Sequence, residues 1–242
     1  MASVYDLKPR FQGLLRPLVR RLQGRGVSAN QVTLIAALLS LLVAGVVALT
    51  AAEPDASRGW FLLIALWLPL RMAFNAVDGM LAREHHQQTR LGAYLNELCD
   101  VVSDAALFVP FALLPNAHPL PVLVALVMAL IVEYAGVMGP LVGASRRYDG
   151  PMGKSDRALV IGLLALAIAL GLTTPWVVAT VFWLMSALML VSLSHRVRRG
   201  IAEANAGEAD KRQADDCQGD DRKGNDRKGN DRIGSDRQGH AQ

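Results

Sequence analysis

Between residues 75 and 104 the chain sets oxygen-bearing side chains at helical intervals: Asn75, Asp78, Asn96, Asp100 and Asp104, with Glu97 beside Asn96. Asn75 and Asp78, three residues apart, project from one face of a helix. Gly92, Asn96, Asp100 and Asp104 recur every fourth residue, a stripe that drifts slowly around a second helix. Hard oxygens converging from two helices suit Mg²⁺ or Mn²⁺, and such cations commonly bridge a diphosphate. A cation held there neutralises phosphate oxygens, and a carboxylate beside it can take a proton as a general base. Small residues such as Gly79 and Ala82 leave room beside the helix, and Arg83 can meet a phosphate. The joining segment REHHQQTRL also holds His85 and His86. Adjacent histidines in a basic link with no second matching pair read as solvated residues rather than metal ligands.

The elements that carry these groups are apolar. The chain is 52% hydrophobic, and six runs are long enough to cross a hydrocarbon core as helices: roughly 32–52, 59–83, 91–115, 119–143, 157–173 and 175–195. Continuous apolar runs satisfy their backbone groups in lipid as helices. The expectation is therefore an all-α membrane protein of six transmembrane helices, which excludes a soluble domain. Ionisable groups are costly in a bilayer and face a bundle interior or water, where they bind ions or substrates. Arg71 lies one turn from Asn75, near mid-membrane, and needs a carboxylate. Pairing with Asp104 or with Glu133 of the fourth span, as a structural lock, is favoured over a phosphate contact.

Lys and Arg cluster before the first span, between the second and third, around the link between the fourth and fifth, and after the sixth, whereas the opposite links hold only Arg58. This asymmetry places both termini in the cytoplasm of a multi-pass protein of the bacterial inner, or cytoplasmic, membrane. Nothing in this charge pattern asks for a nucleic-acid partner. The segment VYDLKPRFQGLLRPLVRRLQGRG mixes leucines and arginines at helical spacing, as does an amphipathic helix lying on anionic lipid, despite Pro9 and Pro17. Ser28 and Asn30 are candidate N-caps of the first span. Trp60 and Tyr148 read as interfacial anchors. Cys99 and Cys217, both on the cytoplasmic side, are not expected to form a disulfide.

From about residue 200 the composition changes, and the chain ends in four related units, DRKGN, DRKGN, DRIGS and DRQGH. With almost nothing apolar to bury, this segment reads as disordered. Truncation after Gly200 is expected to leave activity intact. The organisation is thus a juxtamembrane segment over 1–30, a membrane domain over 31–199 and a charged repeat tail over 200–242.

The pattern Asn75-x-x-Asp78-Gly79-x-x-Ala82-Arg83, eight residues, then Gly92-x-x-x-Asn96-x-x-x-Asp100 resembles the signature of the CDP-alcohol phosphatidyltransferase family, D-x-x-D-G-x-x-A-R followed by G-x-x-x-D-x-x-x-D. The resemblance extends over roughly residues 3 to 200. It implies an integral membrane enzyme of phospholipid biosynthesis that moves a phosphatidyl group from CDP-diacylglycerol to an alcohol acceptor and releases CMP, within a homodimer. In the family four aspartates hold a pair of divalent metals. The resemblance therefore assigns Asp78 and Asp100 to metal binding and Asp100 to the base, while Asn75 and Asn96 replace the first and third aspartates and offer amide oxygens to Mg²⁺ or Mn²⁺. It also assigns Asp78, Gly79, Ala82, Arg83 and Gly92 to the nucleotide and its diphosphate. Less ligand charge weakens cation binding, so one metal rather than two is conceivable.

The link SRRYDGPMGKSDRA offers Arg146, Arg147, Lys154 and Arg157 on the same side. Binding of an acceptor phosphate and simple positive-inside topology stand side by side as their explanation. The acceptor alcohol is not fixed. Two other function classes fit parts of the pattern: a non-catalytic protein that binds CDP-lipid or metal, suggested by the two asparagines, and a carrier, suggested by Arg71, Asp104 and Glu133. No inverted repeat supports the carrier.

Overall fold

The computed structural model describes residues 4–51, 53, 58–115 and 117–236, with side chains for those between 11 and 210. Seven α-helices are present among them and no strand: α1 (Val4–Gly24), α2 (Ala29–Ala51), α3 (Leu62–Glu84), α4 (Arg90–Ala112), α5 (Leu120–Val137), α6 (Lys154–Ala169) and α7 (Pro175–Asp236). Short 3-10 turns, Arg58–Phe61 and Gly139–Val142, precede α3 and follow α5. Four segments are long and apolar enough to cross a membrane: Ala29–Ala51, Arg58–Glu84, Leu120–Val137 and Pro175–Asp210. Of the other two expected spans, α4 is diluted by its polar stripe and α6 has 16 residues, short of the roughly 20 that a bilayer takes.

Local chemistry explains where these helices differ from the apolar runs. At the start of α2, Ser28 accepts from the Gln31 N–H at 3.3 Å and donates its own N–H to Gln31 Oε1 at 2.9 Å, a reciprocal cap. Asn30, the other expected cap, lies inside the helix instead. The fourth run was expected to reach residue 143, but α5 stops at Val137 and the chain turns at Gly143 with φ 84°. The fifth starts three residues early, because Asp156 Oδ2 accepts from the Gly153 N–H at 2.9 Å and orders the first turn of α6. Finally, α7 continues to Asp236 where composition predicts disorder. The alanines and glutamates of IAEANAGEA after Gly200 are strong helix formers, so propensity carries the helix past the end of the apolar run.

Two compact units are present, one of residues 1–134 with 149–194 and one of 135–148 with 195–242. In the first, α2 packs on α3 and α4, and α3 on α6 and α1. Its apolar core includes Trp67, Leu68, Phe108, Phe111, Leu164, Ala165 and Phe182. Phe111 meets Phe61 and Phe182 edge-on at 5.1 and 5.5 Å between ring centres, a favourable aromatic geometry. A second core cluster buries Val19 of α1 against Val77, Met80 and Leu81 of α3, with Leu15 and Leu22 alongside, while Leu14 on another flank is 80% exposed. In the second unit Glu203 accepts from the Ser145 N–H at 2.9 Å and pairs with Arg147.

Candidate active site

Within the first unit, α2, α3, α4 and the link after α3 enclose a cavity of about 400 Å³. Asn30 and Thr33 face it from α2, Asp78, Gly79, Ala82 and Arg83 from α3, Gln87 to Thr89 from the link, and Gly92, Asn96 and Glu97 from α4. Asp78 is 5% exposed and accepts from the Thr33 hydroxyl at 2.8 Å. The glycines have a steric reason. A Cβ on Gly79 would stand 2.9 Å from Arg83 Nη2, because the guanidinium folds back over this glycine. One on Gly92 would stand 2.6 Å from Asn30 Oδ1 and 2.9 Å from Thr89 Oγ1. Thr89 caps α4 by accepting from the Gly92 N–H at 2.9 Å, and Gln87 accepts from the Ala29 N–H at 2.8 Å, which ties the link to α2.

Beside the cavity the charges are paired. Asp100 accepts at Oδ1 from Arg71 at 3.3 Å and from the Asn75 amide at 3.4 Å, and its Oδ2 forms an ion pair with Lys154. Arg71, 4% exposed, also donates to Asp104 Oδ1 at 2.5 Å. Arg157, 2% exposed, bridges Asp104 Oδ2 at 3.2 Å and Glu133 Oε1 at 2.9 Å. Buried Arg71 and Arg157 therefore both have carboxylate partners, as a low-dielectric interior requires.

The polar stripes on α3 and α4 thus meet at a pocket bordered by glycines, in the spacing read from the sequence. A family model described as CDP-alcohol phosphatidyltransferase matches residues 27–194. The chain belongs to this family. It is a CDP-alcohol phosphatidyltransferase, an integral membrane enzyme of phospholipid synthesis that works with a divalent cation such as Mg²⁺ or Mn²⁺. It is 48% identical over 168 residues to the inner membrane protein YnbA of Escherichia coli K12, covering 69% of this chain and 81% of that one. It is 31% identical over 210 residues to a phosphatidylinositol phosphate synthase of Streptomyces avermitilis, covering 81% and 82% of the two chains. Among solved structures, the phosphatidylinositol phosphate synthase of Mycobacterium tuberculosis with CDP-DAG bound superposes with a TM-score of 0.63 at 23% identity, covering 76% of this chain and 92% of that one. The same enzyme with manganese and citrate gives a TM-score of 0.62 at 22% identity, covering 76% and 87%. These structural likenesses establish a shared fold.

For a CDP-alcohol phosphatidyltransferase, the expected ligand set is divided here between two places. Asp78, Gly79, Ala82, Arg83, Gly92 and Asn96 border the cavity, whereas Asn75 and Asp100 join the charge network beside it. Asp78 Oδ2 accepts from Thr33 and Asn75 donates through Nδ2 to Asp100, which leaves the Asn75 amide oxygen as a hard donor of the kind an oxygen-coordinated cation takes. Among the described residues no three His, Cys, Asp or Glu side chains gather as a metal-holding group. Each expected acceptor cation has partners within its own unit. Lys154 joins Asp100, and Arg157 is turned inward to Asp104 and Glu133. Arg147 and Arg146 belong to the second unit, where Arg147 pairs with Glu203 and Arg146 lies over the Tyr148 ring at 4.8 Å. The expected pairing of Arg71 with Asp104 is present. Thr33 and Asn30 were missed. Their only signal was polarity in the first turns of an otherwise apolar helix.

Proposed function

We propose that the chain transfers the phosphatidyl group of CDP-diacylglycerol to a hydroxyl of a phosphorylated polyol such as inositol phosphate. The cavity carries this reading: a nucleotide-sized space with Asp78 buried in its wall and Arg83 laid over Gly79. The cytidine diphosphate enters between α2, α3 and α4, and Arg83 meets its phosphates. Asp78, Asn75, Asn96 and Asp100 hold the divalent cation, which supplies charge neutralisation at the diphosphate. Arg71 and Lys154 pair with the Asp100 carboxylate and hold it in place, and that carboxylate takes the proton of the acceptor hydroxyl. The hydroxyl oxygen bonds to the phosphatidyl phosphorus, the bond from that phosphorus to the bridging oxygen breaks, and CMP departs. The relatives that are phosphatidylinositol phosphate synthases favour inositol phosphate as acceptor.

In this reading α2 to α7 supply six crossings, α4 and α6 shielded by their neighbours, and α1 lies along the inner leaflet with Leu14 toward lipid. Both termini are cytoplasmic, residues 31–199 form the catalytic domain between the juxtamembrane segment and the tail, and two copies pair as the resemblance implies. The reading is tested by CMP release from CDP-diacylglycerol by the purified protein with Mg²⁺ or Mn²⁺ against a panel of acceptors. Release with inositol phosphate that vanishes in Asp100→Ala supports it. Donor binding without release under any acceptor supports a non-catalytic CDP-lipid binder, to which Asn75 and Asn96 point. Failure to bind CDP-lipid sinks the transferase reading.

A further inference from the structure

We propose that the Lys154 ammonium stands where a four-aspartate site would hold a second metal ion, so that this chain loads a single divalent cation. The inference rests on the transferase reading and deepens it. Two positions that the resemblance assigns to aspartates are occupied by Asn75 and Asn96, which removes two negative charges. The same site gains a fixed positive charge, because Lys154 pairs with Asp100 Oδ2 while buried Arg71 and Asn75 occupy Oδ1. The lysine is held in place by its element. It is the first residue of α6, whose opening turn is capped by Asp156 and whose next turn is anchored by Arg157 to Asp104 and Glu133. The backbone that carries Lys154 is therefore fixed beside Asp100 by a buried network.

Charge balance decides the cation count. Across the cavity and the network beside it, the carboxylates of Asp78, Glu97, Asp100, Asp104 and Glu133 stand against the cations of Arg71, Arg83, Lys154 and Arg157, which leaves one negative charge that one divalent ion reverses, and the substrate's diphosphate then offsets the remainder. A second divalent ion would have to enter beside the Lys154 ammonium with no negative excess left to offset it, and like charges at contact distance in a low dielectric repel strongly. The ammonium performs the electrostatic part of the second ion's task, neutralising anionic oxygens near Asp100, without requiring ligands. An acceptor-phosphate contact, the role expected of Lys154 from its link, would instead leave cation loading unchanged when no acceptor is present.

The experiment is a Mn²⁺ titration followed by the electron paramagnetic resonance of the free ion, with no substrate. It uses the full chain, Lys154→Met, Lys154→Arg, Asn75→Asp with Asn96→Asp, and the triple variant that adds Lys154→Met. Melting curves establish that each variant is folded. The wild-type chain should bind one Mn²⁺, Lys154→Met should bind it about tenfold more tightly, as removal of a neighbouring like charge shifts an equilibrium, and Lys154→Arg should match wild type. Only the triple variant should load two ions. Two Mn²⁺ on the wild-type chain, or unchanged affinity in Lys154→Met, overturns the inference and leaves the transferase reading standing. Loss of both Mn²⁺ and CDP-lipid binding in the folded wild-type protein overturns both.

Discussion

Arg157 donates to carboxylates on two helices, Asp104 of α4 and Glu133 of α5, while 2% exposed. Removing its side chain leaves Asp104 neutralised by Arg71 but takes from Glu133 a buried guanidinium partner, and breaking a buried pair on one side costs about 3–5 kcal/mol. Arg157→Leu should therefore lower the thermal unfolding transition in detergent sharply. The double variant Arg157→Leu with Glu133→Leu should recover part of the loss, because it also removes the carboxylate that lost this partner. A loss below about 1 kcal/mol in the single variant, the size of an exposed pair, would show that the bridge is not structural. That an intramembrane arginine must find a carboxylate was legible in the sequence for Arg71, since its depth in an apolar run was visible. It was not legible for Arg157, which sits three residues from Lys154 in a basic link. Only the early start of α6, fixed by the contact of Asp156 with Gly153, turns Arg157 inward.

At the scale of elements, two glycines separate packing from chemistry. Gly150 has φ 116°, and a Cβ there would stand 2.4 Å from Ser192 Cα of α7, a backbone atom that cannot turn aside. Strain and overpacking each cost about 1–3 kcal/mol, so Gly150→Ala should destabilise the fold by roughly 2–6 kcal/mol. At Gly79 the obstructing atom is the far end of a flexible arginine, so Gly79→Ala should leave melting nearly unchanged while displacing Arg83 and raising KM for the CDP-lipid. Melting and kinetics of the two alanine variants check this, and equal losses of stability would remove the distinction. Hydrophobic run length placed α2, α3, α4 and α6 within a few residues of their ends, whereas α5 stops at Val137 rather than 143. The ends were less legible because they depend on single hydrogen bonds and on backbone conformations such as Gly143 at φ 84°. The spacing of Gly79 and Gly92 announced a close approach, but the partners, Arg83, Asn30 and Thr89, come from two other segments besides their own helices and carry no mark in a linear pattern.

For the whole molecule, the question is where the working part ends. The family match runs over residues 27–194, and motif spacing alone pointed to the same membrane domain. Composition suggested that everything after Gly200 is dispensable, yet Glu203 accepts from both the Ser145 N–H and hydroxyl and pairs with Arg147. Sequence could not show this, because the partners are more than 50 positions apart. The cut that spares function is therefore expected after Asp210 rather than after Gly200. Replacing residues 211–242 with a fluorescent reporter that matures only in the cytoplasm tests this boundary and the orientation together. Cells should fluoresce, because the six crossings proposed above would return the C-terminus to the side that holds the basic links, and the purified fusion should keep wild-type acceptor-dependent CMP release. The same fusion joined after Gly200 should melt slightly earlier, because it loses the Glu203 pair with Arg147 and the hydrogen bonds from Ser145. A dark fusion that still releases CMP would place the C-terminus outside and reverse the topology. A bright fusion without activity would assign the charged segment a direct part in the reaction.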